Sequence, residues 1–91
     1  MLDYDEIPVE YMKGAVQRYI EHGIPPGGFL TAVICNNLSD SFARADENNL
    51  AKLHEWVQWF YNEAPSPCWG SQEKMQAWMT QRREVFAKER G

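Results

Sequence analysis

Ninety-one residues make a single domain, long enough to bury a modest core without disulfide staples. Four Trp, four Tyr and four Phe exclude intrinsic disorder, because a chain so rich in large apolar rings has enough area to bury. The formal charge of −4 argues against broad nucleic-acid binding, which relies on many Lys and Arg against phosphate.

The acidity is uneven. Residues 1–46 carry seven acids and three bases, whereas residues 47–91 carry six of each. The lead-in, residues 1–7, is acidic, and MLDYDEIP has neither a basic start nor an apolar run, so a signal peptide is not expected. No stretch is apolar for long enough to span a bilayer, and a cytoplasmic protein with no membrane partner is expected. Cys35 and Cys68 are too few for a disulfide framework and read as free thiols.

Pro8 suits the first turn of a helix, and Val9, Met12, Ala15, Val16, Tyr19 and Ile20 then share one face to about residue 22. Gly23 supplies the left-handed residue that ends it. Pro25-Pro26-Gly27-Gly28 is a stiff and then loose connection into a second helix over 27–44. Its stripe of Leu30, Val33, Ile34, Leu38 and Phe42 contains Asn37 and Ser41, so a break is expected near Asn36-Asn37. Asp46 reads as the N-cap of a central helix over 47–63.

In that helix Leu50, Leu53, Val57, Phe60 and Tyr61 form an apolar stripe with Trp56 at its edge. Trp59 falls on the opposite side with Lys52, Glu55 and Asn62. Pro65 stops the helix, Trp69 sits in the following loop, and Ser71 caps a last helix over 72–88 whose inward face is Met75, Trp78 and Met79. Arg82 interrupts that face, so the basic tail 82–91 is expected to run into solvent and fray. The expected fold is all-α: one compact bundle of four main helices, the second broken.

No catalytic residue and no metal or cofactor site is expected. His54 and Glu55 are adjacent and point about 100° apart on a helix, so they cannot share an ion. Cys68 has no base assigned to it and no reason for a lowered pKa. Two sets of residues carry possible binding roles. Trp59, with Trp56 and Trp69, is a candidate protein interface, since Trp dominates many interfaces; the competing account makes the Trp59 side a second core face beneath the Trp69 loop or Trp78. Gly27, Gly28, Asn37, Arg44, Asp46 and Asn49, with Asn36 and Asn48 nearby, gather donors and acceptors suited to a nucleotide or similar metabolite; the competing account is capping and turn satisfaction. Arg82, Arg83, Lys88 and Arg90 offer a third class, nucleic-acid contact.

The runs IPPGGFLTAV, FARADENN and YNEAPSPCWGS, followed by QAW, give the ordered pattern I-P-P-G-x-F-L, R-A-D-x-x-N and W-G-S. Between Tyr19 and Met79 this resembles a group of short proteins encoded by tailed bacteriophages and prophages. The resemblance implies an origin and no mechanism. With it the favoured expectation is a non-enzymatic accessory protein that binds, and inhibits or redirects, a host or defence protein, and that associates with itself. A small-ligand binder is the alternative.

Overall fold

The computed structural model describes residues 2–90, and side chains as far as residue 85. The expectations placed on Lys88, Arg90 and the fraying of the tail therefore lie outside the described side chains. Among the described residues the chain is all-α, with six α-helices and no strand. These are α1 (Lys13–His22), α2 (Gly28–Ile34), α3 (Leu38–Arg44), α4 (Glu47–Ala51), α5 (Leu53–Glu63) and α6 (Gln72–Arg90). The four expected helices become six because both of the middle ones are interrupted.

The first helix starts later than Pro8 predicts. Two short 3-10 turns, Tyr4–Glu6 and Glu10–Met12, precede α1, and Ile7 and Val9 between them are extended and buried. Extended backbone places residues two apart on the same side, so both side chains enter the core; a helix from Pro8 would turn them apart. At the other end Gly23, at φ 71°, sends its N–H to Tyr19 O while Ile24 N–H reaches Arg18 O. A β-carbon on Gly23 would come within 2.8 Å of Met79 O, so this glycine is required both by its left-handed backbone and by the close approach of α6.

The break at Asn36-Asn37 occurs where expected, by a Schellman closure. Asn36 is left-handed at φ 61°, its N–H bonds Val33 O at 3.0 Å and Asn37 N–H bonds Ala32 O at 2.8 Å. Asn37 then caps α3 by accepting Asp40 N–H on Oδ1. Asp46 caps α4 in the same way through Asn49 N–H, and Ser71 Oγ accepts Lys74 N–H at the start of α6. The second interruption, at Lys52, has no Gly or Pro to announce it: Lys52 N–H is shared between Asn48 O and Asn49 O, and α5 resumes with Trp56 N–H on Lys52 O.

The core is built on α5, but on a different face from the predicted stripe. Trp56 and Phe60 are fully buried and Trp59 is 3% exposed, whereas Leu50, Val57 and Tyr61 are 41%, 44% and 78% exposed. The buried face is rotated by roughly 80° from the predicted one, at 100° per residue. Phe60 belongs to both faces, so the difference is that the indoles of Trp56 and Trp59, each with its N–H hydrogen-bonded, are buried in place of Leu50, Val57 and Tyr61. Phe60 stands edge-on to Trp59 with centroids 5.2 Å apart, and Phe29 stands edge-on to Trp56 at 6.1 Å. The acidic lead-in closes over Trp59, with Tyr4 stacked at 6.2 Å and Asp3 O accepting the indole N–H at 2.9 Å.

Other segments are tied down by two similar bonds from buried rings and one from the backbone. Tyr19 Oη donates to Cys68 O at 2.6 Å, Trp78 Nε1–H donates to Ile20 O at 3.1 Å, and Gly70 N–H reaches Ile34 O at 2.7 Å. Trp59 and Trp56 are thus core residues, which removes both from the expected protein interface. Trp59→Ala is expected to behave as a core deletion, lowering stability by about 3–5 kcal/mol in urea melts of the dilute chain.

Candidate functional site

The polar residues that the sequence groups together are divided by the fold. Asn49 is 2% exposed and its Oδ1 accepts the Trp56 indole N–H at 2.9 Å. Its amide is consumed by the core. Asp46 holds the α4 cap on one oxygen and receives the Tyr11 hydroxyl on the other. Gly27, the exposed N-cap of α2, belongs to a helix of seven residues and meets no other candidate side chain within the groove described next. Asn49 is therefore consumed by the core, Asp46 is engaged by its cap and by Tyr11, and Gly27 lies outside that groove.

Gly28, Asn37 and Arg44 do come together. They line an open groove of about 400 Å³ between α2 and α3, with Thr31, Asp40 and Gln72. Gly28 leaves room for the Arg44 guanidinium, which would stand 3.2 Å from a β-carbon at that position. Arg44 Nε lies 3.9 Å from Asp40 Oδ2 with both side chains more than half exposed, a pairing that solvent screens to little net energy. Asn37 Oδ1 is already held by its cap. The groove thus offers a tethered cation and a few hydroxyl and amide groups, but no enclosed polar pocket. Cys35, on its floor, donates its thiol to Met75 Sδ at 3.5 Å, and burial raises its pKa.

The chemistry of the remaining candidates is equally local. Cys68 is fully buried and burial pushes its thiol up to about 12, so it is not a thiolate at neutral pH. Arg82 lies over the Trp78 ring, 4.3 Å from the centroid, while Arg83 lines a shallow apolar pocket of about 320 Å³ with Ile24 and Pro25. Among the described residues, no group of three or more His, Cys, Asp or Glu is placed to hold a metal ion. No helix among them is long and apolar enough to cross a membrane.

What sequence reasoning missed lies outside. Leu38 and Phe42, one turn apart on α3, are 72% and 63% exposed, and Leu50, Val57 and Tyr61 form a second exposed stripe along α4 and α5. All five belong to the apolar stripes expected to face inward. On α3 the inward position is Ser41, whose hydroxyl bonds back to Asn37 O at 2.7 Å. The signal was present in the Ser and Asn within the stripe, since a buried hydroxyl is satisfied by such a backbone bond while an apolar neighbour is left out. Trp69, the third residue of the expected interface, is half-buried against Phe60 at 5.8 Å and forms one wall of a groove of about 430 Å³ with Tyr61, Gly70 and Lys74.

The chain matches no family model, no curated protein and no solved structure.

Two outcomes test the division of the polar corner. Asn49→Ala leaves the Trp56 N–H buried without a partner, and is expected to cost about 1–3 kcal/mol in urea melts. For Asp46, the hydrogen bonds from Tyr11 and then Asn49 hold its carboxyl below the usual carboxylate range. A lowered folded-state pKa contributes stability that is fully present above the unfolded value, about 4, and is lost as pH falls through the folded one. The difference between the urea midpoints of wild type and Asp46→Ala is therefore expected to be constant from neutral pH down to about 5 and to shrink below about 4.

Proposed function

We propose that this chain is a non-enzymatic protein-binding module of phage or prophage type, which docks on a host or defence protein through the outer face of α3. The observation that carries the reading is the pair Leu38 and Phe42, exposed by 72% and 63% in a protein that buries three of its four tryptophans by more than nine-tenths. Adjacent turns of one helix present an aliphatic and an aromatic anchor side by side, the arrangement by which a short helix seats in an apolar cleft of a partner. Most of the apolar surface of both side chains stays in water in the folded chain. A partner cleft would desolvate both.

The Arg44, Asp40 and Asn37 flank lies roughly 150° around α3 from Leu38 and Phe42, at 100° per residue, so the groove and the apolar pair are separate surfaces. The small-ligand reading is supported only by the convergence of Gly28, Asn37 and Arg44 on that groove. It lacks enclosure and a committed donor set. Nucleic-acid contact through the tail is supported least, because Arg82 is engaged with Trp78.

The test places a photo-crosslinking residue at position 42 of the full chain in host cells, with a control at the exposed Gln17. One discrete protein is expected to crosslink from position 42 and not from position 17. Once that protein is purified, the double variant Leu38→Ser with Phe42→Ser is expected to bind it at least about tenfold more weakly, at an unchanged urea midpoint. Equal binding by the double variant overturns the reading.

A further inference from the structure

We propose that the outer face of α4 and α5 is a self-association surface, on which two copies of this chain pair their α5 helices antiparallel. Leu50, His54, Val57 and Tyr61 are all exposed, and they are spaced four, three and four residues apart. His54, Val57 and Tyr61 on α5 have the alternation of seam positions in paired helices, and Leu50 precedes them on α4 across the turn at Lys52. The spacing is also the same in both directions along the chain. A two-fold axis between His54 and Val57 therefore sets Leu50 against Tyr61 of the partner subunit and His54 against Val57 of the partner subunit, with every layer made twice.

Charge identifies a second copy as the occupant. Between Leu50 and Asn62 the exposed positions carry one charge, the ammonium of Lys52, and the nearest carboxylates are the half-buried Glu55 and the exposed Glu47 one turn before Leu50, so the face has mixed signs and little net charge in a chain whose 91 residues include 13 acids. A two-fold interface presses a surface against itself, so any net charge on it repels its own image; this face is nearly free of that cost. A foreign partner is usually steered and registered by complementary charge, which the face does not offer. Tyr61 is also one wall of the groove shared with Trp69 and Lys74. The pairing brings Leu50 of the partner subunit to the mouth of that groove, which gives the half-buried Trp69 an intermolecular neighbour.

The seam is short. On α5, His54 to Tyr61 rises by roughly 10 Å at 1.5 Å per residue, with Leu50 beyond the Lys52 turn, so the area buried lies at the small end of specific interfaces and the dimer is dissociable. Sedimentation velocity on the full chain, from about 10 µM to about 1 mM, reads this directly because dimer formation depends on concentration. The weight-average mass is expected to climb toward that of a dimer. Tyr61→Asp is expected to remain monomeric over the same range with an unchanged urea midpoint. His54→Leu, which replaces the one polar seam residue by an apolar one, is expected to raise the association constant by about tenfold or more.

A wild-type chain that stays monomeric at the highest concentration overturns the proposal, and leaves the face to a foreign partner. A Tyr61→Asp chain that dimerises like wild type places the dimer elsewhere and overturns it, as does a His54→Leu chain that associates no more tightly. The proposal is independent of the α3 reading: Leu38→Ser with Phe42→Ser is expected to self-associate like wild type, so the two surfaces fail separately.

Discussion

Three indoles that must be both buried and hydrogen-bonded set the arrangement of this chain. An indole brings a large apolar area and one N–H donor, and a buried donor without a partner costs as much as a good hydrogen bond gains. Each of these donors is satisfied by a different part of the sequence: Trp56 by Asn49 on the neighbouring helix, Trp59 by Asp3 in the lead-in, and Trp78 by Ile20 in α1. The last two bonds join residues 56 and 58 positions apart. The rings thus do the work of long-range staples in a domain too small to rely on core volume alone.

The signals legible in the sequence were the ones decided within a few residues. Gly23, Asp46 and Ser71 end or start helices where expected, because a left-handed glycine acts through its own backbone and a cap is a side chain bonding backbone three positions away. The break at Asn36 was legible for the same reason. The lateral face of α5 was not, because it depends on what covers it. Hydrophobic periodicity ranks Leu50, Val57 and Tyr61 with Phe60, and it cannot see that an extended lead-in will close over Trp59. The same limit explains α1: Pro8 is a good local start, but burying Ile7 and Val9 together requires extended backbone.

The candidate site divided along the same line. Gly28, Asn37 and Arg44 were brought together because the Schellman turn folds α3 back along α2, a local event. Asp46 and Asn49 were lost to the site because their partners, Tyr11 and Trp56, belong to packing that no spacing rule contains. Polar residues around a helix corner are mostly consumed by that corner. What survives such accounting is a better guide to binding than the residues that first attract attention.

The exposed apolar stripe and the buried tryptophans have one cause. On a single helix, turning Trp56, Trp59 and Phe60 inward necessarily turns Val57 and Tyr61 outward, since residues one apart differ by about 100°. Evolution has two ways to settle the surplus: to make the outer residues polar, or to cover them. Gln58 and Asn62 are exposed polar residues on the same helix, next in sequence to Val57 and Tyr61. On α3 the same holds, where Ser39 and Asp40 neighbour the exposed Leu38. The outward apolar residues of α5 are therefore the geometric counterpart of its buried indoles, and on α3 the outward pair Leu38 and Phe42 is the counterpart of the inward Ser41, on the side of the helix away from Arg44 and Asp40.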